Sequence, residues 1–269
     1  RHEDGAARNR AGTQRQHREE TMGTWTLVEL CQLVDHTNLR PDATAADMQR
    51  LCDEAASHHF RMVAIEPCQV VRCARLLRGT GVHVGAAIGF PLGQTTVATK
   101  VFETREALEN GADEIDYVVN RSELKDGKWK QVEDEMSAIV GVCKEARALS
   151  KVIFETRELS SEEIIRLCKI ASRVRPDFVK TSTGFSPKGG ATVRDVRLMC
   201  EHVGEGVQVK AAGGIRDADS FLAMVAAGAR RIGCTASIPI IEELRRRMDA
   251  RGIPALELEP GEGTTTDQA

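Results

Sequence analysis

The 269-residue sequence lacks the features that mark several classes of protein. Aromatic residues make up 4 % of it, with a single tyrosine, and no apolar run approaches the roughly 18 residues of a membrane span. The 37 basic residues nearly balance the 40 acidic ones, so the charge gives no reason to expect a nucleic-acid or membrane partner. The polar, arginine-rich N-terminus is not typical of a secretory signal, and we expect a cytoplasmic protein.

The cysteines also lack the spacing of a metal site or a disulfide framework. There are eight, none of them in a CxxC pair, and several fall on the apolar face of a predicted helix. Zinc sites need clustered cysteine or histidine ligands, and no such cluster is present in the sequence. We therefore expect buried free thiols, no bound metal and no cofactor.

What the sequence does contain is a repeated alternation of short apolar runs with amphipathic segments of helical length. Residues 1–24 and 251–269 lack this pattern, so we predict one domain over 25–250 between two disordered tails. The apolar runs are typical of buried strands. There are eight of them: 33–37, 62–67, 82–90, 114–120, 151–156, 178–183, 207–214 and 230–235.

Helix-start signals lie in the segments between these runs. In a capping box, a Ser or Thr is followed three residues later by an acidic residue. The pairs with this spacing are Thr44 and Asp47, Ser160 and Glu163, and Thr192 and Asp195. Eight strands, each followed by a helix, predict a (β/α)8 TIM barrel. A doubly wound open sheet is the alternative, but no glycine-rich dinucleotide fingerprint follows the first strand.

Three charged residues interrupt predicted strands. Lys180 lies in the sixth strand, Lys210 in the seventh and Asp116 in the fourth, each with apolar residues on both sides. Alternation along a strand would point all three into the barrel. Two buried lysines on adjacent strands disfavour double protonation, and a neutral amine can condense with a carbonyl to form a Schiff base. The alternative is that each lysine extends out of the barrel mouth or pairs with a carboxylate.

Glycines follow the seventh and eighth strands, where barrels of this class commonly bind phosphate. Backbone amides of Gly213, Gly214, Gly233 and Cys234 are the candidate phosphate ligands, next to a helix for which Ser237 is a candidate N-cap. The alternative is that these are turn glycines only. Among weaker candidates, Asp35, His36 and Thr37 could face the site or serve as caps, and Glu66 could be a charge at the rim.

Taken together, the motifs resemble deoxyribose-phosphate aldolase from about residue 34 to residue 237. They are VDHTNLRPDAT, IGFPLGQTT, NGADEIDYVVN, FVKTSTGF, GGATVRDVRLM, VKAAGGIR and RIGCTAS. The resemblance implies a class I, metal-independent aldolase that interconverts 2-deoxy-D-ribose 5-phosphate with D-glyceraldehyde 3-phosphate and acetaldehyde. It implies that Lys180 forms the Schiff base, that Lys210 lowers the pKa of Lys180, and that Asp116 moves protons with a bound water. It also adds Gly184 to the phosphate ligands.

The sequence departs from the family pattern in two loops. Cys234, Thr235 and Ala236 stand where a run of hydroxyl residues is usual, and the loop after the sixth strand is one residue longer and contains Lys188. These changes leave the phosphate affinity open, although Lys188 could compensate.

Two other functions stay open at this point. One is a different Schiff-base aldolase or transaldolase, and the other is a sugar-phosphate sensor without catalysis. The expected partner is a small sugar phosphate, and a homodimer or higher homo-oligomer is compatible with the sequence.

Overall fold

A computed structural model describes residues 23–259. Of the predicted tails 1–24 and 251–269, residues 1–22 and 260–269 lie outside the described residues. Eight parallel strands close into a barrel, and helices connect successive strands on its outside. This confirms the predicted (β/α)8 class and rules out the open sheet. The barrel strands are β2 (Val34–Thr37), β3 (Met62–Ile65), β4 (His83–Ile88), β5 (Glu114–Val118), β6 (Leu149–Ile153), β7 (Phe178–Lys180), β8 (Gln208–Ala212) and β9 (Arg231–Cys234).

The helices follow the amphipathic segments of the sequence. They are α1 (Leu27–Cys31), α2 (Ala45–Ser57), α3 (Val70–Leu76), α4 (Val97–Glu109), α5 (Arg121–Lys125), α6 (Trp129–Ala146), α7 (Ser161–Val174), α8 (Val193–His202), α9 (Ala218–Ala226) and α10 (Ser237–Arg251). Thr44 and Ser160 form the predicted capping boxes of α2 and α7. At α8, the Thr192 side chain accepts a hydrogen bond from the Asp195 backbone.

The ordered chain extends past both predicted domain boundaries. β1 (Gly23–Thr26) pairs in antiparallel fashion with β10 (Ala255–Leu258), outside the barrel. The second strand lies inside the segment 251–269, for which we expected disorder. Leu256 is buried there, and the Arg230 guanidinium lies 5.6 Å from the Trp25 ring centroid. These contacts stabilise the two-stranded ribbon, and strands of only four residues are too short to be recognised from the sequence pattern.

Alternation along the strands separates two interiors. Residues such as Ile115, Tyr117, Val179 and Val209 face outward into one apolar cluster between the sheet and the helices. Their neighbours face the barrel axis, and several of these are charged and buried. Since barrels of this class usually fill the axis with branched apolar side chains, the charged interior is the feature that calls for a functional explanation.

Candidate active site

The three residues predicted to carry the chemistry meet inside the barrel. Lys180 and Lys210 are paired positions of the adjacent strands β7 and β8. Lys180 Nζ lies 2.9 Å from Asp116 Oδ2, and Lys210 Nζ lies 2.7 Å from the same oxygen. All three side chains are buried. The predicted inward orientation is therefore correct, and neither lysine extends into solvent.

A third lysine, which the sequence analysis missed, also forms an ion pair with Asp116. Lys151 is fully buried, and its Nζ lies 2.6 Å from Asp116 Oδ1 and 2.6 Å from Glu114 Oε2. Its position in β6 pairs with Asp116 in β5. Lys151 was the first residue of its predicted strand, where a charge is usually solvated, so the local pattern contained little signal for it.

Three further ionic contacts link the strands. Arg231 lies 2.6 Å from Asp35 and 2.8 Å from Glu114, and Lys210 Nζ lies 2.5 Å from Asp35 Oδ2. Asp35, a weaker candidate in the sequence, is therefore a buried partner of Lys210. The network contains three carboxylates and four cations: Asp35, Glu114, Asp116, Lys151, Lys180, Lys210 and Arg231.

This count leaves one cation in excess, and the contacts indicate which cation has the least counter-charge. Lys151, Lys210 and Arg231 each contact two carboxylates, whereas Lys180 contacts only Asp116, which it shares. Burial, opposed by Asp116 and assisted by the charges of Lys210 and Lys151, lowers the pKa of Lys180 to about 8. An appreciable fraction of this amine is thus neutral at physiological pH, as a nucleophile requires.

The neighbouring groups shift in the direction that keeps them charged. Burial disfavours the ionised form of Asp116, but Lys151, Lys180 and Lys210 together hold the pKa of Asp116 well below its usual range. For Lys151, burial is likewise outweighed by Asp116, Glu114 and Asp35, which raise its pKa. The cluster therefore contains one readily deprotonated amine beside Asp116 and Lys151, whose charged forms are favoured.

The glycine loops predicted to bind phosphate pack against each other through bare backbone. A Cβ on Gly190 would lie 2.1 Å from the Gly213 carbonyl oxygen, and one on Gly213 would lie 3.1 Å from the Cα atoms of Gly184 and Gly190. Gly184, Gly213 and Gly214 all have positive φ angles. Glycine is therefore required where the loops after β7 and β8 meet, and Gly190 is a member of this contact that the sequence analysis missed.

Gly233 and Cys234 lie one strand further on, inside β9, and Gly233 pairs with Ala212 of β8. A Cβ on Gly233 would lie 3.2 Å from Lys210 Cε, so this glycine makes room for the lysine. Cys234 is buried with Sγ 3.2 Å from Ser237 Oγ. Ser237 is the first residue of α10, not its N-cap, and its hydroxyl donates to the Cys234 carbonyl.

Two charged side chains of the long loops pair with each other. Lys188 Nζ, which could have compensated for the missing hydroxyls, lies 2.6 Å from Glu158 Oε2. Nearby, the buried Glu155 accepts hydrogen bonds from the backbone amide and the hydroxyl of Thr183. A cavity of about 740 Å³ opens beside these loops, lined among others by Arg121, Thr183 and Phe185.

Two further kinds of feature, a metal site and a membrane-spanning helix, were considered for residues 23–259. Within this range, no three His, Cys, Asp or Glu side chains are grouped so as to hold a metal ion. No helix in the same range is both long enough and apolar enough to cross a bilayer.

A (β/α)8 barrel with a buried, charged cluster near the C-terminal ends of its strands has the architecture of an enzyme active site. The sequence matches the DeoC/LacD family aldolase over residues 30–236. The chain belongs to this family of aldolases, which are lyases.

Named relatives agree with the family assignment. The chain is 51 % identical to a deoxyribose-phosphate aldolase of Lactobacillus acidophilus, over 87 % of this chain and 98 % of the relative. It is 49 % identical to one of Bacteroides thetaiotaomicron, over 83 % and 93 %. Among solved structures, the tetrameric deoxyribose phosphate aldolase of Aeropyrum pernix superimposes with a TM-score of 0.78 at 31 % identity, over 86 % of this chain and 97 % of that one.

Proposed function

We propose that this protein is a deoxyribose-phosphate aldolase that cleaves 2-deoxy-D-ribose 5-phosphate through a Schiff base on Lys180. The observation that carries the proposal is the sharing of Asp116 Oδ2 by two buried lysines, of which Lys180 has a pKa of about 8. The names of relatives about 50 % identical to the chain supply the substrate. We further propose that the enzyme acts in the breakdown of deoxyribonucleotides and carbohydrates in the cytoplasm.

In the first step, the neutral amine of Lys180 attacks C1 of the open-chain aldehyde. A C=N bond replaces the C=O bond, the oxygen leaves as water with the two amine hydrogens, and one proton taken up from solvent makes the imine cationic. The positive nitrogen withdraws electrons from the C2–C3 bond. The neighbouring lysines Lys210 and Lys151 lower the pKa of Lys180 and so disfavour reprotonation of the amine before it attacks.

In the second step, Asp116 acts as the proton acceptor through a water molecule. Condensation removes hydrogens from Lys180 Nζ, which frees Asp116 Oδ2 to accept a hydrogen bond from that water. The C3 hydroxyl loses its proton, the C2–C3 bond breaks, and glyceraldehyde 3-phosphate leaves. The C2–C3 electron pair remains as an enamine on Lys180, which is protonated at carbon and then hydrolysed to acetaldehyde.

The phosphate of the substrate would bind at the contact between the glycine loops. Backbone amides around Gly184, Gly213 and Gly214 supply hydrogen-bond donors, with further donors from Gly233 and Cys234. Ala236 has no hydroxyl, and the Ser237 hydroxyl is occupied by the Cys234 carbonyl. The proposed site therefore relies on backbone donors more than on side chains.

A direct assay tests the proposal. Deoxyribose 5-phosphate should yield glyceraldehyde 3-phosphate and acetaldehyde, and borohydride with acetaldehyde should leave a two-carbon adduct that peptide mapping assigns to Lys180. The Lys180→Leu variant should lose both. Lys169→Leu, the same change on an exposed residue of α7, should keep both. An adduct confined to Lys210, or cleavage that survives in Lys180→Leu, would reject the assignment.

We also propose that the protein forms a homo-oligomer. The support is the Aeropyrum pernix aldolase, which is described as tetrameric and shares the fold at 31 % identity. Light scattering coupled to gel filtration measures the mass directly, and a monomer of 29.4 kDa at micromolar concentration would refute the proposal.

A further inference from the structure

A buried carboxylate that the proposed mechanism does not use links the catalytic cluster to the opposite face of the barrel. Glu114, at the start of β5, is fully buried. Its Oε2 lies 2.6 Å from Lys151 and 2.8 Å from Arg231. Its second oxygen, Oε1, is directed away from both cations.

That second oxygen is held by a histidine. His83 is the first residue of β4, at the N-terminal end of the barrel, and its Nδ1 lies 2.7 Å from Glu114 Oε1. A carboxylate is an acceptor only, so Nδ1 carries the hydrogen of this bond. The His83 side chain is 30 % exposed, whereas Glu114 has no exposure. Through His83, the charged interior reaches solvent on the face opposite the substrate entrance.

The contacts from His83 to the catalytic amine form a continuous series. Glu114 contacts Lys151, Lys151 lies 2.6 Å from Asp116 Oδ1, and Lys180 lies 2.9 Å from Asp116 Oδ2. Each member of this series is buried apart from the histidine. Since charges interact strongly where water is excluded, a change at one end alters the balance at the other.

Within residues 23–259, the strands on either side of β4 give the His83 side chain no second hydrogen bond or ion pair besides that with Glu114. Arg61, before β3, uses its backbone oxygen to accept from the His83 amide at 3.0 Å. Asp113, before β5, accepts from the Val84 amide. Lys151 and Arg231 face Glu114 from β6 and β9 and not His83 itself. The response of His83 therefore passes through Glu114.

We propose that His83 is a positioning residue that orients Glu114 and thereby tunes the reactivity of Lys180. The inference rests on the proposed function of Lys180. His83 fixes one carboxylate oxygen of Glu114 so that the other remains on Lys151, which in turn stays on Asp116 and opposes the ammonium form of Lys180.

Two variants test the hydrogen bond between His83 and Glu114. His83→Asn places an amide donor near the position of Nδ1 but does not titrate, and His83→Leu removes the donor. The readout is the rate at which acetaldehyde and cyanoborohydride modify Lys180, measured by mass spectrometry from pH 6 to 10. Cleavage of the sugar phosphate is assayed separately, so a protein that is modified at Lys180 but cleaves nothing would refute the proposed function and leave this test intact.

His83→Leu should shift the midpoint of Lys180 modification to higher pH. Modification at pH 7 should fall about 3- to 10-fold, because one unit of pKa is tenfold in neutral amine, and the rate at pH 10 should equal that of the wild type. His83→Asn, which keeps a hydrogen-bond donor, should keep the wild-type midpoint.

An unchanged midpoint in a folded His83→Leu protein would overturn the proposal. If His83→Leu does not fold, the His83→Asn variant decides, and a midpoint that differs from that of the wild type in this donor-keeping variant would overturn the proposal.

Discussion

Lys180 and Lys210, paired across β7 and β8, hold the same oxygen of Asp116 between them. The two amines are nevertheless not equivalent. Lys210 has a second carboxylate, Asp35, at 2.5 Å, whereas Lys180 has none. This difference in counter-charge favours Lys180 as the nucleophile of the pair. The resulting asymmetry leads to predictions that distinguish the two.

Replacing Lys210 by leucine should raise the pKa of Lys180 above its value of about 8, because a nearby positive charge is lost and Asp116 keeps one partner fewer. Each unit of that rise lowers the neutral fraction of Lys180 at pH 7 about tenfold. We expect kcat/KM to fall strongly at pH 7 and to recover in part above pH 9. A loss of equal size at every pH would show that Lys210 has another role.

Replacing Lys180 by methionine should stabilise the fold while abolishing activity. The pKa of Lys180 falls from 10.5 to about 8 on folding, so the unfolded chain binds more proton between these values and stability rises with pH through that window. The destabilisation caused by burying the Lys180 ammonium is present in full below about pH 8 and disappears above pH 10.5. Lys180→Met removes it, and Asp116 keeps Lys151 and Lys210.

The measurement is the Tm of the wild type and of Lys180→Met as a function of pH. The variant should be more stable at pH 7, by at most about 3 kcal/mol, and its advantage should shrink between pH 8 and 10. A variant less stable than the wild type at pH 7 would mean that the Lys180–Asp116 contact outweighs the burial of the amine.

The sequence contained enough information to predict the fold and the meeting of Lys180, Lys210 and Asp116 inside the barrel, and the reason is the position of these charges in the strands. Lys180, Lys210 and Asp116 each interrupt an apolar strand, so burial and inward orientation follow from alternation. Lys151 and Arg231 lie at or next to the start of their predicted strands, where a charge is normally solvated. Only the register, which sets Lys151 beside Asp116 and Arg231 beside Lys210, shows that they are interior.

The loop contacts were less predictable for a different reason. Gly184 and Gly213 could be singled out as glycines near strand ends, but the close approach of Gly190 to Gly213 joins two loops that are distant in sequence. Similarly, the pairing of Lys188 with Glu158 depends on the path of both loops. No periodicity encodes such contacts, so they follow only from the assembled barrel.

Replacing Gly190 by alanine tests the proposed phosphate site. The new Cβ would lie 2.1 Å from the Gly213 carbonyl oxygen, so the loops after β7 and β8 must separate. We expect KM for deoxyribose 5-phosphate to rise about tenfold or more, while trapping of acetaldehyde on Lys180, which needs no phosphate, stays unchanged. Gly141→Ala, a helical glycine with open space at Cβ, is the matched control. Equal KM values in both variants would exclude this contact from phosphate binding.

Replacing Asp116 by asparagine should separate imine formation from turnover. The loss of the carboxylate removes the group that favours the ammonium form of Lys180, so the pKa of Lys180 should fall and the acetaldehyde adduct should still form at pH 7. Turnover should drop about 10²- to 10⁴-fold, because the proton acceptor is gone. Borohydride trapping and steady-state cleavage measure the two effects. Equal losses in both would show that Asp116 acts only by holding the lysines in place.

Replacing Lys151 by methionine should affect both stability and the titration of Lys180. Its removal leaves Glu114 and Asp116 with fewer counter-charges in the barrel, a change that costs about 3–5 kcal/mol when a buried pair is broken. It also removes a positive charge that helps to lower the pKa of Lys180, so the midpoint of the activity profile should move to higher pH.

Lys100→Met is the matched control, because it breaks a buried ion pair of 2.8 Å with Glu135 between α4 and α6, outside the barrel interior. The control should lose a similar amount of stability in urea unfolding without any shift of the pH profile. If both variants shift the profile alike, the effect comes from loosening of the fold, and Lys151 is then not coupled to Lys180 through Asp116.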